Sequence, residues 1–518
     1  MKLAVRDIRD GVVLVEYPEA SEEEANEAAA ALGYGLRASA PRGLLDAIPG
    51  ARSLLVLFDA SRLRRGRLRK EIEHTGRRGA PGSGARRLLR IPVAYGAEDL
   101  SELARGAGMT TEEFARQHAE PEYRVAFIGF APGFPYLSGL PRQLQAPRLS
   151  SPRPRVAAGR VAIGGSYTGV YPGASPGGWR LIGQTSVRLF DPHADPPALL
   201  SAGDRVRFEP VRPEDLPVAV AKALTGARPP GAAVLRVIAP GLFTSIQGAP
   251  RHGLGSSGVP SGGAMDLSSL ARANALVGNA PGAPALEIAL AGPELEVLKP
   301  SMAGIAGGDF AAQWNGKSAP FEEAFQVAAG DRLHFGRARR GARVYLAVEG
   351  GVIDSRAPGE PERRLEAGVG IAVGSQPSAR SPRGAGPIEL AEEIFLRVIP
   401  GPQSDHFPAA AIAQFFSGSW RVSSMSDRRG LRLEGERLAH VQAPEIPPEG
   451  TVPGSIQVPG GGLPIVLGPD GPVTGGYPKI ATVIGPDLPL LGQAAPGASL
   501  AFRAVSMAEA LGVRREYH

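Results

Sequence analysis

Ala202-Gly-Asp-Arg-Val-Arg-Phe208 is echoed by Ala329-Gly-Asp-Arg-Leu-His-Phe335 and by Pro496-Gly-Ala-Ser-Leu-Ala-Phe502. Each is a glycine-led strand with a phenylalanine five residues after the glycine. The first and third copies extend upstream. Thr168-Gly-Val-Tyr-Pro172 parallels Thr474-Gly-Gly-Tyr-Pro478, and LIGQT (181–185) parallels LLGQA (490–494). A glycine-led strand alone is common hairpin chemistry, but the shared Thr-Gly-x-Tyr-Pro favours a repeat of three related units. Short strands between Gly/Pro turns leave open edges unless the sheet closes, so the pattern predicts β-barrels.

The rest of the chain fits that frame. Its 518 residues allow about three or four domains. Gly (69) and Pro (50) are too abundant for a helical protein. The expected class is mainly β with some α, with a small α+β unit in front. There, Ser21 and Glu24 form a capping box before an Ala-rich helix ending at Gly33, and SLLVLFD (53–59) is a buried strand. Asp99 and Thr110 are expected to cap two short helices, the second with Glu113. The expected divisions are 1–88 (α+β), 89–211 (barrel), 212–233 (Pro-rich linker), 234–395 (barrel) and 396–518 (barrel).

Composition narrows the chemistry. There is no cysteine, so disulfides and thiolate sites are excluded. The eight histidines are scattered and no H-E-x-x-H occurs, so no metal site is expected. The charged first ten residues carry no apolar leader, and no apolar run of membrane-spanning length occurs. A cytoplasmic location with no membrane contact is the expectation. Net charge is +6, concentrated between Arg62 and Arg90. No aromatic interleaves those arginines, so a solvated face is favoured over a nucleic-acid site.

Several motifs fail on inspection. Gly173-Ala-Ser-Pro-Gly177 matches a nucleophile elbow, but Pro176 lacks the N–H an oxyanion hole needs. Gly253-Leu-Gly-Ser-Ser-Gly258 is not at a strand-to-helix junction, which leaves it as a backbone nest for an anion. Asn315-Gly316 is a hairpin turn. What survives is a set of Gly/Pro-dense loops carrying ionisable groups. His118 precedes FIGFAPGFPYLSGLP (127–141); the others are SPGGW (175–179), GVPSGGAMD (258–266), SDRRGLRLEG (426–435) and TGGYPKIATV (474–483). Arg and Lys on rigid loops suit carboxylate or phosphate, and Asp suits a water or an amide N–H. Asp427, Arg428, Lys479 and His118 are the catalytic candidates. Phe130, Pro132, Gly133, Phe134, Tyr136, Gly178, Trp179, Ser261, Asp266, Arg432 and Tyr477 are the binding candidates. Phe134–Pro135 is an expected cis bond, and the aromatics around it are expected to form a pocket wall.

These same loops carry a family resemblance. HAEPEYRVAFIGFAPGFPYLSGLP, TGVYP and SPGGWRLIGQT resemble the B component of 5-oxoprolinase (the KipI family, allophanate hydrolase subunit 1). PGLFTSIQ, GVPSGGAMD, ANALVGN, SDRRGLRLEG and TGGYPKIATV resemble its C component (the KipA family, allophanate hydrolase subunit 2). The resemblance covers nearly the whole chain and implies a B–C fusion with cyclophilin-like barrels. It implies ATP, with Mg2+, used to open 5-oxo-L-proline to L-glutamate alongside a separate LamB/YcsF-family A component. Two other roles come with it: a biotin-dependent carboxyltransferase of the urea carboxylase type, and a regulatory kinase-inhibitor-like protein. A homo-oligomer stays open. The sequence departs from the family pattern at Gly248, Ser256 and Tyr167, and at the loop IDSRAPGEPERRLE (353–366).

Overall fold

The computed structural model describes residues 2–78, 87–217, 233–360, 362–374 and 393–516. Most of the expected linker, 218–232, lies outside them.

The N-terminal unit is a four-stranded antiparallel sheet covered by two helices, Glu22–Ser39 and Arg65–Arg78. The Ser21–Glu24 capping box forms as expected. The first helix, however, runs through Gly33 and ends only at Ala40, whose φ is 40°. Gly33 is a packing glycine: a Cβ there would stand 2.9 Å from Leu54 Cδ1.

Two closed seven-stranded barrels follow the repeat. Neighbour by neighbour, the first runs Leu88–Tyr95, Arg180–Gln184, Arg160–Gly164, Tyr167–Val170, Pro135–Ser138, Tyr123–Ile128, Arg205–Pro210 and back. The second runs Glu393–Pro400, Lys479–Val483, Ser455–Gln457, Ile465–Leu467, Gly430–Glu434, Trp420–Val422, Ser499–Ala504 and back. The chain visits the positions in the same order in both, and each closes by a parallel pairing of its first and last strands. Those last strands are the glycine-led segments of the repeat, with Phe208 and Phe502 buried in the two barrel cores.

The strand register corrects the upstream alignment. Phe208 lies opposite Ile91 and Phe502 opposite Leu396. Two strands over, Gly183 lies opposite Tyr95 and Ala481 opposite Pro400. SPGGWRLIG (175–183) is therefore the counterpart of VTGGYPKIA (473–481), whereas LLGQA begins in the short helix Leu488–Gly492. Each barrel also carries a small outer ribbon: Arg153–Val156 with Ser175–Gly177, and Glu449–Gly450 with Thr474–Gly475.

The ribbons are latched alike. In the first barrel Asp99 accepts the Leu181 N–H at 2.6 Å and binds the Arg153 guanidinium at 2.7 Å. Asp99 thus latches the ribbon and caps no helix with its side chain. In the second, Gln403 accepts the Lys479 N–H at 3.2 Å and donates to Glu449 at 2.8 Å. Arg153 and Glu449 each sit across their ribbon from a glycine, Gly177 and Gly475.

Between the barrels, where a third was expected, a six-stranded and a five-stranded sheet face each other across one core. The Asp331–Phe335 segment belongs to the six-stranded sheet. Its strand Arg332–His334 makes only antiparallel pairs, so it shares the turn of the repeat and not its closing role. The Asn315-Gly316 hairpin forms, both residues having positive φ (51° and 77°).

Candidate functional site

The N-terminal sheet, the middle unit and the second barrel meet at a narrow, partly open cleft with a cavity volume of about 30 Å³. Asp46 and Ile48 form one wall, Arg251, His252 and Ser261 a second, and the segments 451–453 and 467–473 a third. Asp46 builds the site through its backbone contacts. Its buried carboxylate accepts the N–H groups of Gly253 (3.1 Å) and Gly255 (2.8 Å), fixing the turn that presents His252. Arg251 is held by its own backbone, bonded to Ser261 O at 2.7 Å, while its guanidinium reaches Arg356 O at 3.4 Å. One guanidinium and one imidazole at a glycine-rich turn suit a single anionic group, a carboxylate or a phosphate.

Behind the cleft lies a buried charge network. Arg428 donates to Glu287 (2.7 Å), to Asp470 (2.8 Å) and to Gly263 O (2.6 Å), and stands 3.2 Å from Glu362. Burial opposes the guanidinium's charge, but Glu287, Asp470 and Glu362 hold it above its ordinary range. Burial likewise works against the Glu287 carboxylate, and Arg428 with Arg343 outweighs it. Glu362, from the divergent loop 353–366, is raised by burial despite Arg428. Arg428 therefore ties the second barrel to the middle unit; it braces the structure from a position away from the cleft surface.

The other catalytic candidates separate. Asp427 is exposed and folds back on the N–H groups of Arg429 (2.8 Å) and Gly430 (3.2 Å) as a turn residue. His118 is fully buried in the first barrel core between Tyr95 Oη (2.8 Å) and Thr168 Oγ1 (2.9 Å), and burial lowers it to about 3. It is a core histidine. Lys479 is 2% exposed and paired with Glu449 under the second ribbon.

The binding candidates also divide. Ser261 lines the cleft. Phe134, Tyr136 and Trp179 belong to a closed aromatic cluster on the first barrel, with Phe130 packed against it. Gly178 is half-buried in the neighbouring turn. The loop carrying Phe130, Pro132 and Gly133 abuts the cleft's back: the Phe130 N–H meets Thr474 Oγ1 (3.2 Å) and the Gly133 N–H meets Ser257 O (2.9 Å). Phe134–Pro135 is not cis; the cis bond found among the described residues is Asp195–Pro196. Asp266 is a buried N-cap, accepting from Ser269 (2.9 Å) and Gln493 (2.7 Å). Arg432 is exposed on its strand, and Tyr477 half-buried beside Lys479.

Motif spacing does not single out Asp46, Glu287, Glu362 or Asp470. Two of them carry another signal: Asp46 in LLDAIP and Glu287 in ALEIAL are lone acids inside apolar strands, and such an acid must find a buried partner.

Comparison with known proteins follows the same divisions. The carboxyltransferase domain model for subdomains C and D matches residues 3–200, and that for subdomains A and B matches 257–504. The 5-oxoprolinase C component of Escherichia coli (strain K12) is 34% identical over 300 residues, covering 55% of this chain and 95% of that protein. The chain belongs to the carboxyltransferase-domain family. Its subdomain C and D half is 36% identical over 229 residues to the 5-oxoprolinase B component of Bacillus subtilis (strain 168), 42% of this chain and 95% of that protein. This carboxyltransferase-domain chain thus joins a B-like and a C-like half. The crystal structure of TTHA0988 matches it with a TM-score of 0.84 and 37% identity, over 96% of this chain and 100% of that one. Urea amidolyase of Saccharomyces cerevisiae is 30% identical over 301 residues, only 16% of its own length. The cleft lies where the two halves meet: Asp46 comes from the subdomain C and D match, Ser261 from the subdomain A and B match.

Proposed function

We propose that this chain is the fused B–C component of an ATP-dependent 5-oxoprolinase, activating the lactam of 5-oxo-L-proline for hydrolysis to L-glutamate with a separate LamB/YcsF-type A component. The observation that carries the reading is the joint cleft. Homologues of two 5-oxoprolinase components are fused, and side chains from both halves line one opening. Arg251 and His252 would hold the substrate carboxylate, and Asp46 would fix the Gly253–Gly255 turn that follows them.

A five-membered lactam is a stable amide. Phosphorylation of its carbonyl oxygen by ATP would let water add at that carbon and the ring C–N bond break to leave an acyl phosphate, from which a second water would release the phosphate. The cleft's one guanidinium and one imidazole, the latter kept toward its neutral form by burial, fit one anionic group rather than a whole triphosphate. Among the described residues no three His, Asp or Glu side chains converge on a metal position. Mg2+ is accordingly expected to arrive on the nucleotide.

The test is ATP hydrolysis with and without 5-oxoproline in the presence of an A component. Wild type is expected to be stimulated by 5-oxoproline, and Arg251→Ala to lose at least tenfold in kcat/KM, mostly through KM. No stimulation, with carboxybiotin consumed in the presence of urea instead, would move the protein to the biotin-dependent carboxyltransferase reading.

A further inference from the structure

The twin barrels allow a comparison at single positions. Leu181 and Lys479 are counterparts, since each is two residues before the register-matched Gly183 and Ala481. Across the ladder Leu181 faces Ala162, and Lys479 faces Gln457. Both barrels latch their ribbons through the backbone N–H of this residue, to Asp99 in one and Gln403 in the other. The first barrel does so with an apolar pair packed into its aromatic cluster. The second places a lysine and a glutamine at the same spot, and both are buried.

Stability does not account for that change. A buried ion pair such as Lys479–Glu449 is generally no better than a well-packed apolar pair. Gln457 is worse: its Nε2 is fully buried and has no hydrogen-bond partner among the described residues. An unmet buried donor costs stability, so its presence beside a buried lysine calls for a reason other than packing.

We propose that Lys479, Gln457 and Glu449 form a binding site for one edge of a small cyclic or urea-type amide. In such molecules C=O and N–H lie on the same edge. Lys479 Nζ and Gln457 Nε2 donate to the carbonyl oxygen, and Glu449 accepts the N–H. The site lies beneath the second ribbon, two residues on each strand, whose other side packs on Gly50 and Leu55 of the N-terminal sheet and on the Phe130 loop, and the adjoining Thr451, Val452 and Val473 line the cleft. A ligand enters by parting that ribbon. Naming the amide rests on the 5-oxoprolinase reading; the site itself rests on the twin-barrel comparison.

The test is calorimetric titration of the full chain with 5-oxoproline and, separately, with urea, for wild type, Gln457→Ala and Gln457→Leu. Both substitutions remove the unmet donor, so melting temperature is expected to hold or rise while affinity falls at least tenfold. Unchanged affinity in both variants overturns the site, as does a wild type that binds neither amide. Urea binding without 5-oxoproline binding, lost in Gln457→Ala, upholds the site and overturns the 5-oxoproline reading. Turnover of 5-oxoproline that survives both variants does the reverse.

Discussion

His118 shows what a lone residue in a sequence withholds. It stands before the most distinctive loop of the chain, yet its ring stacks on Phe208 with centroids 4.9 Å apart inside the first barrel. Thr168 Oγ1 donates to Ala162 O, so it accepts from His118 Nε2–H, and Nδ1 accepts from Tyr95. Burial lowers the folded-state value to about 3 from 6.5. The unfolded chain then takes up a proton that the folded one refuses. Stability is complete above about pH 6.5 and is lost as pH falls toward 3, by on the order of 5 kcal/mol at the limit. Melting temperature between pH 7 and pH 4 should therefore fall, and fall less steeply in His118→Phe; equal slopes would assign the acid sensitivity elsewhere. Asp427 and Arg428 teach the same lesson, since adjacent residues point one to solvent and one into a buried network. Side-chain direction in an irregular loop depends on distant partners such as Glu287, which spacing cannot reveal.

At the scale of elements the sequence was more legible. The glycine-led strands, the Ser21 capping box, the Asp266 N-cap and the Asn315-Gly316 hairpin all appear where local chemistry placed them. Alignment of Thr-Gly-x-Tyr-Pro failed because its tyrosine and proline serve different strands in the two barrels, and only inter-strand register distinguishes them. The middle unit misled for a related reason: a glycine turn followed by alternating residues fits any antiparallel entry. The FIGFAPGFPYLSGLP loop is an element with a positional task, wedging against the C-like half. Gly258 (φ +79°) faces it there, and a Cβ would come within 2.6 Å of Ala131 O. Gly258→Ala combines a positive-φ penalty with that clash and should cost about 1–3 kcal/mol. Chemical denaturation would read this as a lower midpoint; an unchanged midpoint would mean the loop yields freely.

Across the whole molecule the two halves are joined by hydrogen bonds as well as by the chain itself. Asp10 accepts the Gly485 N–H at 2.7 Å, Ala51 donates to Pro448 O at 2.7 Å, and Asp46 fixes the Gly253–Gly255 turn. Fusion of B-like and C-like parts was readable from motifs, because those motifs are long and specific. The cleft was not, because its walls come from segments hundreds of residues apart that only folding brings together. The central claim is that this joint cleft serves activation of a lactam carbonyl. It is tested most directly with 5-oxoproline carrying oxygen-18 at the ring carbonyl, incubated with the chain, ATP and an A component. If that oxygen is phosphorylated and then leaves as phosphate, one labelled oxygen appears in the inorganic phosphate released per glutamate formed. Label remaining entirely in the glutamate carboxylate would contradict the account.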